Sequence, residues 1–412
     1  METTSRQKIP QTHPHWGPRP LSLHLSTAMA GMMSSLVALP SARNGSLPWR
    51  PELAETAAGL TAALQQSEPN VLFQAVAAEC QTRLSGMLAG VKAYQAAARP
   101  DGRAWVKGRE VWHQGTTRLL DYGGEGGPVL FVPSLVNGAH VLDLTPERGL
   151  LGWLWNQGHR PFLVDWGAPG DGELAFSLSD YISRLRDVLD VLEDRTDQQP
   201  ALVGYCMGGD LALALGQQRQ GNLTGLALLA TPWDFTAGGQ QWPAIEALMP
   251  GLENILQAFG ALPVDVLQAL FAALDPGLAQ RKFCYFATLD PESDEAAHFV
   301  ALEDWVNDGV PLATAVARDC LLGWYGNNST ARGEWLIDGQ AVDPGSLRLP
   351  VLAAIPENDR IVPAASAQAL ADAIPQARVI RPAAGHIGMV VGQRGKSGLW
   401  QPLSDWLDGL RP

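Results

Sequence analysis

Short apolar runs alternate with amphipathic stretches along most of the chain. Val, Leu, Phe and Ala follow one another without polar interruption at 129–132, 162–164 and 226–230, which predicts buried strands. Residues 180–193 carry apolar side chains three or four positions apart, the spacing of a helix with one buried face. Strands and helices that alternate in this way predict an α/β fold with a mostly parallel sheet and flanking helices.

Three regions depart from this alternation and indicate the domain organisation. Residues rich in Pro, His and Thr at 1–20 predict a disordered tail, and Ala-, Leu- and Gln-rich residues 51–98 predict two or three helices. A mostly helical, aromatic-rich stretch follows the strand at 226–230. We therefore expect four parts: a tail and helical N-terminal extension, a first core part, an inserted cap and a second core part, at 1–100, 101–235, 236–333 and 334–412.

The chemistry is predicted around Cys206. The residues Gly204-Tyr205-Cys206-Met207-Gly208 stand between a predicted strand and a predicted helix, which is the pattern of a nucleophile elbow with cysteine in place of serine. Such a turn strains the central residue and leaves no room for side chains two positions away, so glycine fits at both. The helix N-terminus favours a thiolate, and the N–H of Met207 is placed to hold an oxyanion. The alternative is a buried cysteine that acts as a small hydrophobe.

A cysteine nucleophile needs a base, and the base needs an acid to orient it. Asp359 follows the predicted strand at 351–355, and His386 follows the one at 377–381. Nucleophile, acid and histidine in this order are typical of the α/β-hydrolase fold, and both residues fall at the C-terminal ends of strands. Taken singly, Asp359 is as readily explained by capping of the next helix, and His386 by a turn between glycines. Together with Cys206 they favour a catalytic triad.

Composition excludes several classes of function. The chain has 412 residues and a formal net charge of −13, which excludes general binding to nucleic acid or to an anionic membrane. Its four cysteines form no Cys-x-x-Cys pair, which argues against a zinc site or a disulfide framework and predicts a reducing, cytoplasmic location. The apolar stretch 21–39 contains His, Ser and Thr, so we expect a helix packed on the protein or a partner rather than a signal peptide or a membrane span.

Several further motifs resemble one enzyme family. The segment Gly204–Gly209 is similar to the lipase-like box of the polyhydroxyalkanoate synthases, as are Phe131–Asn137, Leu142–Leu144, Gln157–His159, Asp165–Gly167, Asn327-Asn328, Asp359–Pro363 and Gly385–Gly388. The resemblance covers roughly residues 108–410 and is strongest to the short synthases that work with a second subunit.

The resemblance implies an acyltransferase that polymerises (R)-3-hydroxyacyl-CoA into polyhydroxyalkanoate. Cys206 then carries the growing chain as a thioester, His386 is the base, Asp359 supports it, and Val136 adds a second oxyanion N–H to that of Met207. No cofactor or metal is implied beyond the coenzyme A thioester substrate. Lys282, Arg332 or Arg360 could attract its phosphates locally, although most such residues are plain surface charges. The implied partners are a second synthase subunit or a second copy of the chain, and the polymer granule, at whose surface a cytoplasmic protein would work.

Three features depart from the family and keep other functions open. Arg360 stands where the family often has histidine, Gly138 stands where it often has arginine or lysine, and residues 1–100 do not match the established catalytic subunits. The alternatives are a hydrolase, namely a thioesterase, a polymer depolymerase or an enzyme of the dienelactone-hydrolase kind, and a non-catalytic granule or scaffold protein anchored by residues 21–39.

Overall fold

The computed structural model of the chain describes residues 16–99, 108–239 and 245–410. Most of the predicted tail, up to residue 15, lies outside the described residues, as does the predicted boundary at 100/101.

Strands within the described residues form a main sheet of eight. Their bounds are β1 Arg109–Gln114, β2 Thr117–Asp121, β3 Pro128–Val132, β4 Arg160–Asp165, β5 Ala201–Tyr205, β6 Gly225–Leu229, β7 Val351–Ala354 and β8 Arg378–Ile380. Two short pairs lie outside this sheet, Ala261–Leu262 with Leu312–Ala313 and Leu336–Ile337 with Gln340–Ala341.

The helices are, in chain order, α1 Leu21–Asn44, α2 Ala54–Gln65, α3 Pro69–Ala96, α4 Leu150–Asn156, α5 Leu178–Thr196, α6 Met207–Gln218, α7 Ile245–Phe259, α8 Val264–Ala272, α9 Leu278–Phe286, α10 Asp294–Asn307, α11 Thr314–Arg318, α12 Ala364–Ala373, α13 Gly388–Val391 and α14 Gln401–Asp408. A π-helical segment, Asp319–Gly326, continues α11.

The sheet confirms the predicted α/β-hydrolase type of architecture. Its order is β1-β2-β4-β3-β5-β6-β7-β8, parallel from β4 to β8 and antiparallel where β2 pairs with β1 and β4. The central strands β3, β5 and β6 are buried at every position because helices cover both faces, which explains their unbroken apolar runs. The edge strand β1 is exposed at four of its six positions, so its sequence has no apolar run that would predict a strand.

The described residues divide into two compact units. The first contains 108–239, 245–267 and 308–410, and therefore the whole sheet. The second contains 16–99 together with 268–307. The stretch 236–333, which we predict to be a cap, thus contributes to both units, and the division into four parts stays a prediction.

Helix packing explains the second unit. The core consists of residues from α1, α3, α9 and α10, chiefly Met87, Val91, Tyr94, Phe283 and Val300. The backbone of α3 approaches that of α9 so closely that a Cβ on Gly90 would lie 1.9 Å from the carbonyl oxygen of Phe283. Glycine at this position therefore permits the contact.

Helix α1 is mostly exposed. Among the described residues it is the one helix long and apolar enough, by length and composition, to cross a membrane, and only 6% of its most apolar stretch is buried. Signal sequences and core helices can have the same length and composition. That α1 packs on the protein or a partner, rather than spanning a membrane, stays a prediction.

Candidate active site

Cys206 occupies a strained turn between β5 and α6. Its φ and ψ are 55° and −130°, a region that residues other than glycine rarely adopt. Two backbone hydrogen bonds hold the turn: the Cys206 N–H donates to the Leu229 oxygen at 2.8 Å, and the Gly209 N–H donates to the Cys206 oxygen at 2.8 Å. Cys206 as a whole residue is partly exposed. It is therefore not a cysteine packed entirely within the core.

The glycines around Cys206 meet the rest of the core at backbone distance. A Cβ on Gly208 would lie 2.2 Å from the Val132 oxygen, and one on Gly204 would lie 2.4 Å from the Cα of Gly209. A Cβ on Gly209 would lie 1.8 Å from the Oγ1 of Thr231. These contacts give the spatial reason for the glycine spacing expected of an elbow, because only glycine lets α6 pack this closely on β3, β5 and β6.

The structure brings the predicted base and acid together. Nδ1 of His386 lies 2.7 Å from Oδ2 of Asp359, and the Asp359 side chain is fully buried. The other carboxylate oxygen, Oδ1, accepts the N–H groups of Ile361 and Val362 at 2.8 and 2.9 Å. Asp359 therefore stabilises its own turn and orients the imidazole at the same time. Its role in the turn and its role in a triad are compatible.

The pKa of His386 reflects both Cys206 and Asp359. Burial by itself would lower the pKa of His386, but the charges on Cys206 and Asp359 and the hydrogen bonds to both raise that pKa to about 10. The arrangement thus favours a protonated imidazole beside the nucleophile near neutral pH.

The predicted oxyanion groups have different surroundings. Met207 is the first residue of α6, so its N–H has no acceptor within the helix. The N–H of Val136 donates to Oγ of Ser134 at 3.2 Å, and the Val136 oxygen accepts the Val310 N–H at 2.8 Å. To hold an oxyanion, the Val136 N–H has to exchange the Ser134 hydroxyl for the substrate oxygen. The sequence gives no sign of this competing acceptor.

Two groups near the site were not predicted from the sequence. The phenol of Tyr205 donates to the backbone oxygen of His386 at 3.3 Å. Asp210, one turn into α6, is fully buried, and neither of its carboxylate oxygens has a hydrogen-bond partner among the described residues. Burial first, and then the charge on Cys206, raise the pKa of Asp210 well above the usual range. Its position within an apolar helix of small residues is the only sequence signal for its burial.

The segment Asn327-Asn328 supports the loop that follows β6. Oδ1 of Asn328 accepts the Phe235 N–H at 2.9 Å, and its Nδ2 donates to Oδ1 of Asp234 at 2.9 Å. The hydroxyl of Thr330 donates to the Trp233 oxygen. This segment therefore positions the rim of the sheet beside the site.

The predicted phosphate-binding cations are partly engaged elsewhere. Lys282 lies 2.6 Å from Glu303, and Arg332 lies 2.8 Å from Glu334. Within the described part of the chain, no group of three or more His, Cys, Asp or Glu side chains could hold a metal ion.

Comparison with known proteins agrees with this fold. Residues 127–393 match the model of the alpha/beta hydrolase fold family. A poly(3-hydroxyalkanoate) polymerase subunit PhaC from Haloferax mediterranei is 32% identical over 72% of this chain and 62% of its own length. PhaC subunits from Haloarcula marismortui and Synechocystis sp. are 29% and 30% identical, over 72% and 68% of this chain and 66% and 77% of their own lengths.

The match spans less than two thirds of the Haloferax mediterranei and Haloarcula marismortui proteins but more than two thirds of the Synechocystis protein. About three tenths of this chain remain outside the match. By the family model and the Synechocystis relative, the chain belongs to the α/β-hydrolase fold family and, within it, to the poly(3-hydroxyalkanoate) polymerase family.

Proposed function

We propose that this protein is an acyltransferase that polymerises (R)-3-hydroxyacyl groups from coenzyme A thioesters, with Cys206, His386 and Asp359 as its triad. The observation that carries the proposal is the hydrogen bond between Asp359 and His386, whose pKa is raised by Cys206 at the strained elbow. Membership of the poly(3-hydroxyalkanoate) polymerase family supports a hydroxyacyl group as the acyl acceptor. The nucleophile elbow supports acyl transfer through Cys206.

The first step transfers the acyl group to the enzyme. The Cys206 thiolate attacks the thioester carbonyl carbon, and the oxyanion is held by the Met207 N–H and, once it leaves Ser134, by the Val136 N–H. When the tetrahedral intermediate collapses, the bond to the coenzyme A sulfur breaks and the His386 imidazolium gives its proton to that sulfur. One thioester replaces another, so the step is close to isoenergetic.

In the second step, His386 accepts a proton instead of donating one. The charge of the thiolate is the largest influence that raises the pKa of His386, and acylation of Cys206 removes this charge. Neutral His386 is therefore free to act as a base, oriented by Asp359. It takes the proton from the C3 hydroxyl of a hydroxyacyl group, whose oxygen attacks the cysteinyl thioester, forms an ester and releases the Cys206 thiolate.

Hydrolysis is the competing outcome at the acyl-enzyme stage, because water could replace the hydroxyl. Purified protein incubated with (R)-3-hydroxybutyryl-CoA distinguishes the two reactions. We expect release of coenzyme A with insoluble polyester, and an acyl adduct on Cys206 by mass spectrometry. Free 3-hydroxybutyrate in place of polymer would instead identify a hydrolase. The Cys206→Ala variant controls for turnover elsewhere, and if it retained full function a scaffold role would replace the enzyme.

We infer that the protein works in the cytoplasm at the granule surface, with a second subunit or a second copy of itself. The relatives are named as subunits, which supports the need for a partner. Exposed apolar side chains of α1 and α3, among them Met29, Met33, Val37, Val71 and Phe73, support contact with an apolar surface or partner. Replacing Met29, Met33 and Val37 by Glu should leave the fold intact and reduce sedimentation with polymer granules. Unchanged sedimentation would contradict the inferred contact between α1 and the granule surface.

A further inference from the structure

The serine in the loop after β3, Ser134, lies beside the elbow. Strands β3 and β5 are parallel neighbours, and their pairing sets Val132 opposite Gly204. Two residues further along each segment come Ser134 and Cys206. Because neighbouring strands are only about 4.8 Å apart, this register leads Ser134 to the level of the nucleophile.

Two contacts hold the start of this loop in place. A Cβ on Gly208 would lie 2.5 Å from the backbone oxygen of Pro133, so the residue before Ser134 packs on the first turn of α6. Nε1 of Trp166 donates to the same oxygen at 3.1 Å in a buried hydrogen bond. The backbone that carries the Ser134 side chain is therefore fixed beside the helix N-terminus that provides the Met207 N–H.

The hydroxyl of Ser134 has more hydrogen-bonding capacity than the mechanism above uses. Its Oγ accepts the Val136 N–H at 3.2 Å. A hydroxyl also has one proton to donate and a second acceptor site. Among the described residues the Val136 N–H is the one hydrogen-bond partner of this hydroxyl, and Ser134 is partly exposed. Its proton is therefore available to a bound substrate.

The position of Oγ indicates how this proton can be used. The hydrogen bond aims the Val136 N–H at Oγ, so the N–H and the hydroxyl face the same space. An oxyanion held by that N–H has to come within about 3 Å of it, and there it also meets the hydroxyl. The hydroxyl hydrogen can turn to face an approaching negative charge, and a hydrogen bond to an ionised acceptor is stronger than one to a neutral acceptor.

We propose that the Ser134 hydroxyl donates a hydrogen bond to the oxyanion and is a further catalytic residue beside Met207 and Val136. The inference rests on the proposed function and adds a side-chain donor to its oxyanion hole. The hydroxyl keeps its proton throughout, so no bond is made or broken at Ser134. While the Val136 N–H still binds Oγ, it polarises the hydroxyl and strengthens the bond that the hydroxyl donates. Once that N–H leaves Oγ, the two groups donate side by side.

Ser134→Ala tests the donor, because donation and mere competition predict different changes. If the hydroxyl donates, we expect kcat for acylation of Cys206 by (R)-3-hydroxybutyryl-CoA to fall about 100-fold, the usual loss when one oxyanion donor is removed. KM should change little, because the interaction forms mainly in the transition state. If the hydroxyl only competes for the Val136 N–H, its removal frees that N–H and kcat stays the same or rises, which would overturn the proposal.

Two further variants separate donation from support of the loop. Ser134→Thr keeps a hydroxyl and should retain most of kcat, whereas a loss as large as that of Ser134→Ala would contradict donation. Ser293→Ala is the matched control, because Oγ of Ser293, just before α10, accepts the Ala296 N–H at the same 3.2 Å. We expect Ser293→Ala to lower stability to chemical denaturation and to leave kcat unchanged. An equal loss of kcat in this control would assign the effect to lost stability and overturn the proposal.

Single-turnover release of coenzyme A, together with mass spectrometry of Cys206, measures acylation in each variant. If the unaltered protein acylates Cys206 and Ser134→Ala does so at the full rate, the assignment of Ser134 is wrong and the proposed function stands. If the unaltered protein is not acylated at all, the proposed function fails and the assignment fails with it.

Discussion

The hydroxyl of Tyr205 donates a hydrogen bond to the backbone oxygen of His386, and the two rings lie 5.2 Å apart between centroids. The residue directly before the nucleophile therefore holds the loop that carries the base. This contact therefore ties the loop of His386 to the residue beside Cys206.

Tyr205→Phe tests this positioning role. The ring contact survives and the hydrogen bond is lost, so we expect the free energy of unfolding to fall by about 1 kcal/mol. The kcat for acylation should fall about fivefold with little change in KM, because a loosened base impairs the reaction more than substrate binding. Single-turnover kinetics and chemical denaturation measure the two effects. A normal kcat at reduced stability would assign Tyr205 a structural role alone.

The raised pKa of His386 leads to a prediction about Cys206. Because the charge on Cys206 is the largest contribution that raises this pKa, Cys206→Ser should lower it from about 10 towards the ordinary histidine range. NMR of histidine-labelled protein follows the titration, with His386→Gln assigning the signal. An unchanged titration in Cys206→Ser would show that the sulfur carries no charge.

The same shift determines how stability varies with pH. A histidine whose folded pKa lies above its unfolded value of about 6.5 stabilises the fold fully below that pH. This contribution is lost as the pH rises through about 10. The difference in unfolding free energy between the unaltered protein and His386→Gln should therefore shrink between pH 6.5 and 10, as measured by denaturation at several pH values.

Gly208→Ala tests the close packing of the elbow. The added Cβ would meet the backbone oxygens of Val132 and Pro133 at 2.2 and 2.5 Å, and backbone atoms of a central strand cannot move aside. We expect a loss of at least about 2 kcal/mol in unfolding free energy, together with lost activity. The control is Gly216→Ala in the same helix, where the nearest atom is 3.4 Å away. That variant should gain about 0.5–1 kcal/mol because alanine favours the helix.

Much of the sheet and the site can be predicted from local sequence. The strands β3, β5 and β6 are uninterrupted apolar runs because they are buried on both faces, and the spacing around Cys206 follows from one turn. Asp359 and His386 follow strand ends, and parallel strands bring such positions to one edge of the sheet, where the two residues meet. Their catalytic roles stay predictions.

Other features depend on contacts that no local pattern reports. The exposed edge strand β1 has no apolar run, and the acceptor that Ser134 offers to the Val136 N–H depends on loop geometry. The packing of α9 and α10 with the N-terminal helices joins residues far apart in the chain. Helical periodicity shows that a face is buried but not what covers it, so the second unit was not predicted.

Gly90→Ala tests whether that unit depends on the contact between α3 and α9. The Cβ would lie 1.9 Å from the Phe283 oxygen and 2.6 Å from its carbonyl carbon, so the helices must separate. We expect the unfolding of this unit to shift to lower temperature by calorimetry, with a loss of about 2 kcal/mol. Gly59→Ala in α2 meets no atom within 4 Å and should not lower this temperature. Equal melting of both variants would contradict the close packing.

Asp210 should make the protein less stable as the pH rises. Its pKa in the fold lies well above the unfolded value of about 3.9, chiefly because of burial. The neutral acid is therefore favoured in the fold, and its contribution is present below about pH 4 and lost as the pH rises towards the folded pKa. Asp210→Asn removes this dependence, so its stability advantage should grow by up to about 1.4 kcal/mol per pH unit above pH 4. Denaturation between pH 4 and 8 measures the slope.

A second buried aspartate provides a control of opposite sign. Burial would raise the pKa of Asp121, but hydrogen bonds from Arg160, the Gly123 N–H and Arg195 outweigh it and lower that pKa. Nη2 of Arg160 lies 2.7 Å from the Asp121 carboxylate. Asp121→Asn should therefore destabilise the fold at pH 7, and the loss should diminish as the pH falls below about 4. If Asp210→Asn showed this same sign, Asp210 would have to be ionised in the fold, and a charge one turn behind the nucleophile would then oppose the Cys206 thiolate.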